Sequence, residues 1–356
     1  MTAHETVRGW YASGEPSQGW FAGMLRQALH RGDVEVSGYQ RLTRRVYRLT
    51  LATGEPDSVV MKRLDPASAH RDRLLVQRWL PAVGLADFGP PLLATVFDPG
   101  GDAVWSVYEG LDGHTLRSIR PDADEVVRLV EVVVSLHLRF ARHPLIAEIR
   151  HQGTHLGRGG YVDYVNDSAQ ALATVRSQPG VRARLPASVL ADLESAVHRA
   201  REESPSVLAL LDTVGGPDTV LHGDLWPQNV VVGPDWLRLI DWDRLGVGPA
   251  IYDLSTLLLR LPRAARGRVL NAYLGHIAAA DWPLPTVDQV ILLSTAVERV
   301  RLASLIAWRV LDLLQAPNDG VASWAAGELE SIGTWWREVD PRPDDEPMGT
   351  VDSSLT

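Results

Sequence analysis

Cysteine is absent from the 356-residue chain, so disulfides, thiolate zinc sites and cysteine nucleophiles are excluded together. Lysine is nearly absent: of 35 Lys plus Arg residues, only Lys62 is a lysine. Where arginine serves for almost every positive charge, a surviving lysine is either chance or a position that needs a compact ammonium rather than a planar guanidinium. Positive charge itself is short, with a net charge of -9. That balance argues against a nucleic-acid partner or an anionic membrane surface, because phosphate-tracking surfaces need a basic excess. No segment runs about 18 residues without a charge, so no membrane span is expected. The first 15 residues carry Glu5 and Glu15 and no apolar stretch, which predicts a soluble, unexported, cytoplasmic chain.

What is present is ample apolar material, 45% of residues, on a length that exceeds the usual single core and predicts two lobes. Residues 20–30 read as a helix. Alternation at 34–37, 45–51 and 58–64 predicts three strands, joined by turns at Gly38 and at Gly54-Glu55-Pro56-Asp57. A helix over 67–80, with Leu74, Leu75 and Leu80 on its apolar side, ends near Pro81 and Gly84. Residues 92–97 and 103–108 then form a hairpin across Asp98-Pro99-Gly100-Gly101. From Asp122 helical periodicity dominates, clearest at 126–140, 187–203, 253–261, 264–280 and 286–314. The Gly-, His- and Tyr-rich stretch 153–166 reads as a long loop and a candidate functional segment, and the polar stretch 341–356 as a disordered tail. The expected class is α+β: a five-stranded antiparallel N-terminal lobe with an N-terminal helix over 1–110, then a mainly helical C-terminal lobe over 111–340.

The chemistry concentrates in Leu221-His222-Gly223-Asp224-Leu225-Trp226-Pro227-Gln228-Asn229. Apolar residues follow at 230–232 and 237–240, with Gly233-Pro234-Asp235-Trp236 as a turn between them, and then Asp241. Closing that hairpin sets Asn229 and Asp241 almost opposite each other. Side chains so placed lie roughly 5 Å apart in a paired ladder, and an amide oxygen and a carboxylate can share a hard cation such as Mg²⁺. Asp224, on the loop that enters the first strand, could accept a proton from an alcohol. Singly, each residue has an ordinary alternative: Asn229 and Asp241 as turn or strand-end residues, Asp224 as a helix cap or Asx-turn former. Jointly, Asp-x-x-x-x-Asn, a hairpin, and an apolar residue followed by Asp is the catalytic-loop and metal-Asp arrangement of kinases.

Together with Ile240-Asp241-Trp242, Gly248-Pro249 and Tyr252-Asp253-Leu254, these residues resemble the aminoglycoside phosphotransferase and choline kinase superfamily, which has a bilobal protein-kinase-like fold. The resemblance runs from Val34 to the helices near Leu314. It implies ATP, with GTP not excluded, and Mg²⁺ as cofactors. Asp224 would orient or deprotonate the substrate hydroxyl, and Asn229 and Asp241 would bind Mg²⁺. Asp253 would tie the catalytic loop to the helical lobe, with His222 packed beneath that loop. Lys62 takes the role of the third-strand lysine at the nucleotide phosphates, a point-charge contact. The helix carboxylate that partners such a lysine is usually Glu, and here the best-placed acid is the shorter Asp72. The nucleotide loop Ser37-Gly38-Tyr39-Gln40-Arg41 has one glycine and departs from G-x-G-x-x-G. Val107-Tyr108-Glu109-Gly110 resembles the interlobe hinge whose backbone binds adenine, and equally fits a strand end and turn.

These motifs specify the superfamily and leave the hydroxylated small-molecule acceptor open. The cleft below Asp224 would be walled by 153–166 and by the helix around Glu298, Trp308 and Asp312. Glu298 and Asp312 could face a polyamine such as an aminoglycoside, with Trp308 covering a sugar ring; the same spacing equally makes the polar face of an amphipathic helix. The function classes are an antibiotic kinase, a metabolic kinase for a sugar or amino alcohol, and a non-catalytic kinase-like nucleotide-binding protein. Intact Lys62, Asp224, Asn229 and Asp241 count against the last. A protein kinase is disfavoured by Gly223, where protein kinases usually carry Arg, and by the short span from Asp241 to Tyr252. Oligomeric state is not encoded in these patterns.

Overall fold

The computed structural model describes residues 16–52, 55–116 and 124–339. Gly54 of the expected second turn, the first 15 residues and the 341–356 stretch lie outside the described residues. In chain order, helix α1 (Gln18–Leu29) precedes strands β1 (Val36–Arg41), β2 (Val46–Leu51) and β3 (Ser58–Leu64). Helix α2 (Pro66–Leu74), continued by a π-helical stretch to Trp79 and a last α-helical turn to Ala82, leads to β4 (Leu92–Phe97), β5 (Val104–Glu109) and β6 (His114–Thr115). Next come helices α3 (Asp124–Phe140) and α4 (Leu145–Gln152), strand β7 (Thr154–His155), helices α5 (Arg158–Ser177), α6 (Pro179–Arg182) and α7 (Ala187–Val214), and strand β8 (Asp218–Leu221). The hairpin β9 (Val230–Val232) and β10 (Leu237–Leu239) is followed by β11 (Gly246–Pro249) and helices α8 (Ile251–Arg260), α9 (Arg263–Ala278), α10 (Val287–Leu314) and α11 (Asp319–Val339).

Two compact units result. One gathers the described residues of Met1–Ser118 with Gln228–Asp243, the other those of Ile119–Pro227 with Arg244–Thr356. The first unit holds a five-stranded antiparallel sheet of order β1-β2-β3-β5-β4. Strand alternation sends Val59 and Met61 of β3 into a core with Phe21, Leu25, Tyr47, Leu49, Trp105 and Val107, so Lys62 falls on the opposite face, the side on which Leu64 packs with Ala69 and Val104. Ser17 caps α1 by accepting the Trp20 N–H, and Asp65 caps α2 by accepting that of Ser68. In the same unit β6 and β10 flank β9.

The second unit is mainly helical, as the class expectation required, with α10 packed against α5, α7, α8 and α11. A Thr286–Gln289 capping box starts α10. A small sheet, β7-β11-β8, ends just before His222-Gly223-Asp224.

Three local expectations differ from the structure. Gly38 is not a turn residue: it sits at a bulge inside β1, and the chain reverses at 42–45, where Val46 O accepts from Leu42 and Thr43. A glycine inside a strand pattern often marks such a bulge. The stretch 153–166 is not a long loop, because α5 begins at Arg158. Its glycines are there for close approach: a Cβ at Gly160 would lie 1.8 Å from the His155 carbonyl oxygen. Helix α7 runs 28 residues, through Pro205, instead of ending at Glu203. Buried Ala200, Val207 and Leu211 lie on both sides of that proline, and their packing offsets a proline cost of about 3 kcal/mol.

Candidate active site

In the second unit the chain leaves β8 at His222-Gly223-Asp224. Gly223 has φ +78°, and a Cβ there would lie 2.2 Å from the Arg244 carbonyl oxygen, so only glycine fits. Asp253, in the first turn of α8, is fully buried and accepts the His222 N–H at 2.7 Å and the Gly223 N–H at 2.9 Å. The helix N-terminus favours a carboxylate at this position. His137 Nε2 approaches Asp253 at 3.3 Å while its Nδ1 pairs with the Tyr273 hydroxyl at 2.9 Å. Burial, and secondarily the Asp253 charge, push the Tyr273 pKa far up, so it stays a neutral phenol. Buried His222 accepts the Asp224 N–H on Nδ1 at 3.3 Å. The half-buried Asp224 therefore rides on a loop whose backbone is fixed from below.

In the first unit, β9 and β10 pair as Leu237↔Val232, Arg238↔Val231 and Leu239↔Val230, and Ile240 donates to Asn229 O at 2.8 Å. Asp241 is thus one residue past the position opposite the buried Asn229. Its backbone is left-handed, φ +65°, a conformation Asp tolerates and one that concentrates at functional sites. The Lys62 ammonium bridges the Asp241 and Asp243 carboxylates. Burial works to lower the Lys62 pKa, but the two carboxylates outweigh it and hold it well above the ordinary value. Asp243 moves up, from burial first and then from Asp241, against the pull of Lys62. Arg71 donates to the Asp243 carbonyl oxygen at 2.8 Å.

Asp72 lies buried near this cluster, but no ion pair joins it to Lys62 among the described residues. Ser37 donates its hydroxyl to Thr50 O at 3.2 Å, beside the Gly38 bulge. Tyr108 pairs with Val60 across β3, and the N–H groups of Glu109 and Gly110 donate to Pro91 O and Ser58 O. A Cβ at Gly110 would lie 2.8 Å from Ser58 O.

The three acceptor-side residues on α10 do not form one subsite. Glu298 is 2% exposed and bound by Arg260 and Arg301. Trp308 is 53% exposed, and Asp312 pairs with Arg309 at 3.1 Å. At 1.5 Å rise per residue, Glu298 and Asp312 stand about 21 Å apart along the helix. Sequence reasoning missed Asp243, Arg260, Arg301 and His137. Asp243 was within reach through its spacing of two from Asp241, and Arg301 through its i,i+3 spacing from Glu298; Arg260 and His137 depend on which helices meet.

The sequence matches the family model of the phosphotransferase enzyme family over residues 39–284. The chain belongs to this family. No curated protein matches the sequence. Among solved structures, a spectinomycin phosphotransferase with ADP and spectinomycin is similar at 15% identity and TM-score 0.59, over 91% of this chain and 100% of that one. Choline kinase from Cryptosporidium parvum is similar at 13% identity and TM-score 0.54, over 90% and 96% of the two chains. The GDP complex of aminoglycoside 2′-phosphotransferase-IIIa is similar at 16% identity and TM-score 0.57, over 89% and 99%. This likeness is one of fold; membership of the phosphotransferase enzyme family rests on the sequence match over residues 39–284. No helix among the described residues is long and apolar enough to cross a membrane.

Within this phosphotransferase, Asp72 makes stability depend on pH. Burial, opposed by Lys62 and reinforced by Asp243 and Asp241, raises its pKa from 3.8 to about 7. A carboxyl pKa raised by folding contributes stability below the unfolded value, lost as pH rises through the folded one. Asp72→Asn removes that loss, so the Tm of the variant relative to wild type is expected to climb between about pH 4 and 7 and level off above. Parallel Tm curves for the two proteins across pH 4–8.5 would contradict it.

Proposed function

We propose that the chain is a cytoplasmic kinase that transfers the γ-phosphate of ATP, or of GTP, to a hydroxyl of a small molecule. The observation that carries this reading is Lys62: the one lysine of the chain meets Asp241 and Asp243 just past the hairpin that begins after Asn229. The ADP and GDP in the similar phosphotransferase structures support nucleotide use.

Phosphoryl transfer asks a protein for positioning and charge neutralisation more than for covalent chemistry. Asn229 and Asp241 fit Mg²⁺ as hard oxygen donors, one amide and one carboxylate. Among the described residues no group of three His, Cys, Asp or Glu side chains could hold a metal by itself, which suits an ion shared with water and phosphate. Held by Asn229 and Asp241, Mg²⁺ would supply charge neutralisation for the transferred phosphate. Lys62 offsets part of the charge of Asp241 and Asp243, and donates through Nζ to a phosphate oxygen when nucleotide is present. Ser37, Gly38 and the backbone of Tyr108, Glu109 and Gly110 are the proposed nucleotide contacts, and Asp72 adjusts the charge around Lys62. A carboxylate oxygen of Asp224 accepts the acceptor's hydroxyl proton while the hydroxyl oxygen bonds to the γ-phosphorus and the bond from that phosphorus to the β–γ bridging oxygen breaks, releasing the nucleoside diphosphate. Asp253, with His222 beneath the loop, keeps Asp224 in place.

The test is thermal shift followed by ATP consumption. Saturating ATP with Mg²⁺ should stabilise the chain, by about 2.7 kcal/mol at 100 times Kd, and Asp241→Ala should remove the Mg²⁺-dependent part. Stabilisation without ATP consumption across hydroxylated acceptors would favour the non-catalytic reading. No stabilisation at all would defeat both.

A further inference from the structure

Trp226 lies two residues after Asp224, and two guanidiniums face its ring: Arg260 at 4.1 Å and Arg301 at 5.3 Å from the centroid. Both bind the same acid. Glu298 Oε1 accepts from Arg260 and Arg301, and its Oε2 accepts the Arg301 Nε at 2.9 Å. Glu298 and Arg301 are 2% and 5% exposed, whereas the Arg260 side chain keeps 14% exposure. Two arginines on one glutamate leave those three side chains with one positive charge in excess, and that charge faces the Asp224 carboxylate. Arg260 is the member that reaches solvent, and its Nε and Nη1 make no hydrogen bond with a described residue. Its charge, like that of Arg301, interacts with the Asp224 carboxylate.

We propose that Arg260 is a specificity-determining residue: it selects an uncharged or anionic oxygen-rich alcohol as acceptor and disfavours a polyamine. The inference rests on the phosphotransferase reading above. A hydroxyl at Asp224 must come within hydrogen-bond reach of that carboxylate, which puts the rest of the acceptor beside Trp226 and in the field of Arg260. An amine there meets a like charge, and the acid that would pair with it, Glu298, is buried and bound by both arginines. A carboxylate or hydroxyl oxygen meets the unused guanidinium donors, which suit planar oxygen groups. The net charge of -9 describes the whole surface and attracts cations at long range; discrimination at contact follows the local charges.

The experiment measures phosphate transfer from ATP–Mg²⁺ by the full chain to glucose, gluconate, choline and kanamycin. Wild type is expected to favour glucose and gluconate over kanamycin and choline by tenfold or more in kcat/KM. Arg260→Gln is expected to raise KM for gluconate at least tenfold and to narrow the gap to kanamycin. Arg260→Lys should restore part of the preference. A purely structural role would instead lower kcat for all acceptors alike. Preference of wild type for kanamycin or choline overturns the proposal while leaving the kinase reading intact. Transfer to none of the four, with no stabilisation by ATP–Mg²⁺, overturns both.

Discussion

Asp224→Ala is expected to lower kcat for phosphoryl transfer by roughly 10²–10⁴-fold, the usual contribution of a positioned proton acceptor. The side chain is half-buried, and the loop under it is held by Asp253 acting on the backbone of His222 and Gly223. Removing the carboxylate therefore spares the loop's conformation. Stabilisation by ATP–Mg²⁺ should persist, because the proposed nucleotide and metal contacts are other residues. Asp224→Asn should behave like the alanine variant, since an amide keeps the shape and loses the basicity. Turnover within tenfold of wild type in either variant would remove Asp224 from the mechanism.

Asp253→Ala is expected to be the most destabilising single change. It strips two backbone N–H groups and His137 of a shared buried partner. Leaving buried donors unsatisfied around a deleted carboxylate costs about 3–5 kcal/mol, which translates to a Tm drop of roughly 6–20 °C for a unit of this size. Activity should fall with it, because Asp224 loses the support of the preceding two residues. A scanning-calorimetry Tm within about 2 °C of wild type would show that the network is replaceable.

The hairpin that carries Asn229 and Asp241 was legible in the sequence because its signal is local. Two apolar runs around Gly233-Pro234-Asp235-Trp236 set the register through turn length. Strands β2 to β5 were legible for the same reason, as period-two alternation acts within a few residues, and α10 through its helical periodicity. Glycine and proline misled where their meaning was tertiary. Gly159 and Gly160 look like loop residues, yet they let the first turn of α5 close on His155. Pro205 looks like a stop, yet packing of α7 carries the helix through it.

The sequence by itself thus determined the family, the α+β class and the residues at the mouth of the hairpin, which short-range spacing encodes, and singled out Lys62 by composition. Only the tertiary structure decided who pairs with whom. It is folding that brings Lys62 of β3 to Asp241 and Asp243, and His137 of α3 under Asp253 of α8. Folding likewise sets Arg260 of α8 and Arg301 of α10 on Glu298 and Trp226. Apart from Glu298 and Arg301, three residues apart on one helix, such pairings span tens of residues or more and follow from which apolar faces meet, and no local pattern of charges fixes where those faces bring a charge to rest.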